Sequence, residues 1–296
     1  MKTIKLQFLH FWEGFDHNQH FAFLRKHYRF ELSDDPDFVI FSVFVNGRNV
    51  RRTPRVKSKA VRVFFTPENV VPNMRRCDFA FGFCLEEKIK SDRYFRAPNY
   101  PFRLWASGFG GEDLIKHDVD LSKLLDEKTR FCNFVYSNPR ATFRNRFFEK
   151  LSKYKRVDSA GDALNNTGAP LPKVPGRYDG VRHKLDFMRY YKFTIAFENE
   201  SAPGYTTEKI VEPMLVSSLP IYWGNPDVHR DFNARSFVNY FGSCRNLDDL
   251  VDLVVAIDRN NDLYERYAVE PYLVGNRLSP YLDEDCVVEK FRRIFG

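Results

Sequence analysis

Residues 191–224 read YKFTIAFENESAPGYTTEKIVEPMLVSSLPIYWG, and this stretch decides the fold. Residues 191–197 are a β-rich, almost wholly apolar run. A strand without polar alternation is covered on both faces, as in a parallel sheet. Residues 207–217 read as a helix, with Thr206 or Thr207 as N-cap and Glu208 in the first turn. Pro213 inside it predicts a kink. Residues 219–223 (LPIYW) form the next strand, stopped by Gly224. Strand, helix and strand in that order make a unit of a parallel α/β sheet.

The same alternation extends in both directions. Upstream, residues 131–136 read as a strand closed by Ser137-Asn138-Pro139, and residues 143–154 as a basic amphipathic helix. Residues 164–180 are rich in Gly, Pro and Asn and read as a loop. Downstream, a strand is expected over 236–240, a helix over 247–258 and a short amphipathic helix over 287–295. In the first half, residues 4–11, 38–45 (FVIFSVFV), 61–66 and 78–83 are strand candidates, and residues 19–28 a helix candidate. Residues 97–111 carry Pro98, Pro101, Gly108, Gly110 and Gly111 and read as a loop-rich boundary. The division expected is 1–130 and 131–296, each an α/β domain. The length of 296 residues suits two domains.

With 43% hydrophobic and 29% charged residues, the chain is neither collagenous nor disordered. No uncharged apolar run approaches the ~20 residues that span a bilayer, and residues 1–10 lack the features of a signal peptide. The five cysteines are scattered without C-x-x-C spacing, which suits a reducing compartment better than a disulfide framework or a zinc site. Two formal glycosylation sequons, at Asn165 and Asn199, are read as chance. The net charge of +7 suits an anionic partner. Its one dense cluster is Arg48, Arg51, Arg52, Arg55, Lys57 and Lys59, after Asn46-Gly47 and around Pro54. It reads as an exposed loop, either merely solvated or in contact with an anion.

Chemistry is sought at strand–helix junctions, because ligands of open α/β sheets sit outside the carboxyl ends of the strands. One junction runs from Glu198-Asn199 through Gly204-Tyr205 to Glu208-Lys209. A helix N-terminus favours phosphate, whereas a lysine there is electrostatically misplaced. An anion at the helix mouth would explain Lys209; an ordinary surface Glu-Lys pair is the alternative. The other junction places Arg140, Arg144 and Arg146 after Ser137-Asn138-Pro139. An arginine fork matches phosphate oxygens, although Arg140 and Arg146 read more simply as a solvated face. Glu68 follows a buried strand in the first half and is either a turn residue or a base.

The run Phe197-Glu198-Asn199, Gly204-Tyr205, Thr207-Glu208-Lys209 and Pro220-Ile221-Tyr222-Trp223-Gly224 resembles the α1,3/4-fucosyltransferase family, closest to its bacterial members. So does the block Phe134-Val135-Tyr136-Ser137-Asn138, Arg144, Phe148, Leu151, Tyr154, Val157-Asp158, and more loosely Phe11-Trp12-Glu13-Gly14-Phe15. The resemblance implies an α/β protein with the GT-B arrangement, two Rossmann-like domains facing across a cleft. Residues 1–130 would then be the acceptor side and residues 131–296 the GDP-fucose side. It further implies that Arg144 and Lys209 contact the donor diphosphate. Ser137, Asn138, Asn199, Tyr205 and Glu208 line the donor site, and Glu68 is the general base, with Glu86 and Glu87 as acidic rivals. Trp12 is either an acceptor-stacking platform or core.

An inverting transfer follows, with GDP-fucose as co-substrate, no cofactor required and no metal. The acceptor implied is the 3-hydroxyl of GlcNAc in an N-acetyllactosamine-type (Galβ1-4GlcNAc) oligosaccharide, giving Lewis x in bacterial surface glycan assembly; an α1,4 or other acceptor is the alternative. The expected location is cytoplasmic, with at most peripheral contact with the inner membrane. A nucleic-acid-binding protein would also explain the charge and the aromatics, but no such motif is present and the cations mark junctions rather than a stripe. A non-catalytic GDP-sugar-binding protein would keep Arg144 and Lys209 without needing Glu68.

Overall fold

A computed structural model describes residues 1–172 and 180–296. The expected loop 164–180 is without helix or strand over residues 164–172, its residues 173–179 lie outside the described residues, and Gly180 already opens a helix. The chain forms two compact units. One comprises residues 1–111, 203–207 and 278–296; the other comprises residues 112–202 and 208–277. Each is an α/β unit built on a parallel sheet, the class that the sequence implies.

In the first unit, strands β1 (Lys2–Leu9), β2 (Tyr28–Leu32), β3 (Phe38–Phe41), β6 (Val61–Phe65), β7 (Phe79–Gly82) and β8 (Tyr94–Arg96) pair in parallel in the order β2-β1-β3-β6-β7-β8. Strands β4 (Phe44–Val45) and β5 (Arg48–Asn49) make a separate antiparallel hairpin. Val39, Ile40 and Phe41 are essentially inaccessible, as the unbroken apolar run requires. The expected strand 38–45 is shorter, because the chain leaves the sheet after Phe41 to enter the hairpin. Asn46 and Gly47 both have positive φ there, the conformation of a tight two-residue turn. The expected helix 19–28 is only one turn (His17–His20) and a 3-10 segment (Ala22–Lys26). Tyr28–Leu32 buries its first and third residues, the period of a strand rather than a helix. The expected loop 97–111 holds a helix, Asn99–Ala106. Pro101 falls in its first turn, where the missing N–H would have had no intrahelical partner. Helix Glu284–Phe295 belongs to this unit. It buries Val287, Val288, Phe291, Ile294 and Phe295, with Phe291 stacked 4.3 Å from Phe81.

In the second unit, strands β9 (Arg130–Phe134), β10 (Val157–Ser159), β11 (Tyr191–Phe197), β12 (Leu219–Trp223) and β13 (Val238–Asn239) pair in parallel in the order β10-β9-β11-β12-β13. β11 and β12 match their expected limits; the strand expected at 236–240 is reduced to two residues. The helices Thr142–Ser152 and Leu247–Arg259 pack Phe147, Leu151, Leu250, Val254 and Ile257 into one core with Phe193, Ile195 and Ile221. Helices Gly180–Met188 and Asn261–Val269 were not anticipated. The strand order reverses direction between β9 and β11. That reversal opens a crevice at their carboxyl ends, and every donor-site candidate of this unit lies there or at the next helix start.

Lys128 joins two helix ends. Its ammonium donates to the carbonyls of Arg189 (2.5 Å) and Val216 (2.6 Å), just past helices Gly180–Met188 and Glu208–Leu215. A cation is favoured at such carbonyl ends. Burial nevertheless pulls the Lys128 pKa down to about 8. Lys128→Met is expected to destabilise the protein by about 2 kcal/mol, from two part-buried carbonyls left without their donor. Between pH 8 and the ordinary lysine value of 10.5, the unfolded chain binds the proton that the folded chain has lost. The Lys128 contribution therefore rises with pH through that window. Denaturant unfolding at a series of pH values should show wild type gaining on the variant; parallel curves would rule out this linkage.

Candidate active site

The loop after β9 and the loop after β11 flank the crevice of the second unit. Arg144, in the first turn of helix Thr142–Ser152, is almost wholly buried between them. Its Nη1 donates to Asn199 Oδ1 at 3.0 Å and its Nη2 to the Asn138 carbonyl at 2.9 Å, so one guanidinium joins both loops. Its Cζ lies 3.7 Å from the centre of the Tyr136 ring. Tyr136 is itself fixed, its hydroxyl donating to the Ile195 carbonyl (2.6 Å) and accepting from the Phe197 N–H (2.8 Å). Burial lowers the Arg144 pKa, and Tyr136, Glu198 and Glu208 pull it back up; an arginine stays charged through such a shift. Arg144 Nε is buried and has no hydrogen-bond partner among the described residues. Arg140 and Arg146 are exposed, as the simpler reading has it. Ser137 and Asn138 are exposed at the crevice, with the Arg140 N–H bonded to Asn138 Oδ1 (2.9 Å).

Lys209 stands in the first turn of helix Glu208–Leu215. Its ammonium is 3.4 Å from Glu198 Oε2 and 3.2 Å from Glu208 Oε1. Two carboxylates thus answer the charge that looked misplaced in the sequence. Glu198 is the residue that sequence reasoning missed. Its side chain is 0% exposed, against 19% for Glu208. Its N–H donates to the Trp223 carbonyl (2.8 Å), extending the β11–β12 ladder by one residue. Gly224 then makes room for the carboxylate: a Cβ at Gly224 would lie 2.3 Å from Glu198 Cγ. The signal was a buried acid at the end of an apolar strand, opposite a glycine that follows its neighbour strand. Arg144, Lys209, Glu198 and Glu208 form a cluster with as many cations as anions. No group of three or more His, Cys, Asp or Glu side chains placed to hold a metal occurs among the described residues.

The remaining candidates belong to the first unit. Glu68 follows β6, its N–H donating to Thr66 Oγ1 (3.2 Å) and its carbonyl accepting from the Val70 N–H (2.7 Å). This local turn fixes the backbone that carries the carboxylate. Glu86 and Glu87 open the one-turn helix Glu86–Ile89. Tyr205 is buried, its ring 5.2 Å from that of Phe83. Gly204 beside it has φ +84°, and a Cβ there would meet the Phe83 carbonyl at 2.6 Å, so only glycine fits. Trp12 is partly packed and partly open to a cavity. Its ring packs against Phe11, Phe15, His20 and Phe44, and it also lines a cavity of about 580 Å³ with His10, His17 and Asp34. Burial holds the imidazoles of His10 and His17 below their usual pKa.

The family model described as alpha-(1,3)-fucosyltransferase FucT N-terminal domain matches residues 6–103. The model described as glycosyltransferase family 10 (fucosyltransferase) C-term matches residues 125–269. The chain is 32% identical over 267 residues to alpha-(1,3)-fucosyltransferase FucT of Helicobacter pylori, covering 81% of this chain and 53% of that one. It is 32% identical over 130 residues to alpha-(1,3)-fucosyltransferase B of Drosophila melanogaster, covering 42% of this chain and 28% of that one. The chain thus spans about half, or less, of the length of these curated relatives. Among solved structures, an alpha1,3-fucosyltransferase with GDP-fucose matches with a TM-score of 0.78 and 25% identity, over 100% of this chain and 91% of that one. With two consecutive family models matched and this whole-chain likeness in fold, the chain belongs to the glycosyltransferase family 10 fucosyltransferases.

Proposed function

We propose that this protein transfers L-fucose from GDP-fucose to a hydroxyl of an oligosaccharide, with inversion at the anomeric carbon. The acceptor is the 3-hydroxyl of GlcNAc in a Galβ1-4GlcNAc unit, the product Lewis x in a surface glycan. The observation that carries the reading is the pair of cations, Arg144 and Lys209, built into the carboxyl-end crevice of the second unit. Arg144 is held by three groups and offers an unused Nε; Lys209 is held by a fully buried carboxylate. Both are fixed before any ligand arrives, which is what charge stabilisation of a leaving group requires.

In this mechanism Glu68 takes the proton of the acceptor hydroxyl as its oxygen attacks the fucose anomeric carbon. The bond from that carbon to the GDP oxygen breaks on the opposite face. Negative charge gathers on the leaving diphosphate, where Arg144 and Lys209 meet it. Positive charge gathers on the fucosyl ring, as in glycoside hydrolysis. Glu208, the more exposed of the two carboxylates beside Lys209, turns to the sugar, while Glu198 stays on the ammonium. Asn199, Tyr205, Ser137 and Asn138 complete the donor contacts.

The test is to incubate the protein with GDP-fucose and a panel of type 1 and type 2 chain acceptors, reading products by mass and linkage. A fucosylated type 2 product with an α1,3 bond is expected, at a rate unchanged by EDTA. No product from any acceptor would refute the transferase reading. Loss in EDTA with rescue by Mn²⁺ would refute the metal-independent clamp alone.

A further inference from the structure

The excess positive charge of this protein sits in one short segment. Arg48, Arg51, Arg52, Arg55, Lys57 and Lys59 are all exposed. Without these six, the remaining 40 Lys and Arg nearly balance the 39 Asp and Glu. Within the sequence, no Asp or Glu occurs from Phe38 to Pro67. The structure also holds the segment in place. The Asn46-Gly47 turn sets the hairpin, while Thr53, Pro54 and Val56 are buried between the cations. Thr53 is tied to a second turn: its Oγ1 accepts from the Asn73 N–H (2.9 Å) and its carbonyl from Arg76 (2.6 Å). That second turn adds exposed Arg75 and, two residues before Asn73, Val71, whose apolar side chain is 60% exposed.

Fixed cations beside an exposed aliphatic side chain match the two layers of an anionic bilayer surface, headgroup charge and the start of the acyl region. Residues 46–60 include no Phe, Tyr or Trp to stack on bases, so the display suits single-stranded nucleic acid poorly. No helix among the described residues is long and apolar enough to cross a membrane. We infer that the face formed by residues 48–59 and the 71–76 turn docks the protein peripherally on a membrane of anionic lipid.

Co-sedimentation tests this with vesicles of pure phosphatidylcholine and of phosphatidylcholine containing 30% phosphatidylglycerol. Wild type should bind only the anionic vesicles at 0.1 M NaCl and be released at 1 M, where the Debye length falls from about 10 Å to about 3 Å. The triple variant Arg52→Ser/Arg55→Ser/Lys57→Ser should partition about a hundredfold more weakly, from about fivefold per cation. A control removing equal charge elsewhere (Lys123→Ser/Lys153→Ser/Arg182→Ser) should retain most of the binding, and Val71→Ser should weaken it. Thermal melts confirm that each variant is folded, and transfer to a soluble acceptor should be unchanged in the first triple variant. Three outcomes would overturn the inference. Wild type fails to prefer anionic vesicles, the control triple variant loses as much as the first, or a poly-dT oligonucleotide at equal negative charge outcompetes the vesicles.

Discussion

Lys209→Ala is expected to lower kcat/KM for GDP-fucose about 10²- to 10³-fold, the typical effect of removing one preorganised donor from a site of developing negative charge. The loss should fall on kcat as well as on donor affinity, because charge on the diphosphate grows as the bond to fucose breaks. Alanine also removes the ammonium 3.4 Å from the wholly buried Glu198, and taking a cation away from a buried carboxylate is destabilising. The double variant Lys209→Ala/Glu198→Gln separates the two effects. It should recover stability relative to Lys209→Ala without recovering turnover. Arg144→Lys makes the companion case: it keeps the charge but loses the fork that reaches both Asn199 and the Asn138 carbonyl. GDP titration together with initial rates decides the matter. Normal affinity and normal turnover in both Lys209→Ala and Arg144→Lys would remove the clamp from the mechanism.

What was legible in advance divides along a physical line. β11 and β12 could be read to the residue, because a strand buried on both faces writes its whole length as apolar sequence. Lys209 could be suspected from its place alone, since a cation at a helix N-terminus calls for a counter-charge. Which group supplies that charge could not be read. Glu198 meets Lys209 because its side chain passes where Gly224 has no Cβ, a packing between residues far apart in sequence. The helix Asn99–Ala106 was hidden for a different reason. A high density of prolines and glycines reads as loop, whereas the effect of each depends on its position, and Pro101 sits in the one turn that tolerates it. The short helices and two-residue strands depend on tertiary contacts more than on local pattern.

Glu68→Gln is the sharpest test of the proposed chemistry, because it changes one atom type and little volume. A positioned base contributes typically about 10²- to 10⁴-fold, and kcat is expected to fall within that range. The Thr66–Glu68–Val70 turn is held by main-chain N–H groups that the substitution leaves intact, so the fold should be undisturbed. Glu68 lies in the unit that does not carry Arg144 and Lys209, and GDP affinity should therefore match wild type. A pH–rate profile adds a readout that a merely structural role would not move. The acidic limb of kcat, set by protonation of the base, should be present in wild type and absent in Glu68→Gln. Parallel substitution of Glu86 and Glu87 should leave that limb in place. If Glu68→Gln turns over normally, or if the limb vanishes with Glu86 or Glu87 instead, the proton goes to another group and only the diphosphate clamp of the mechanism stands.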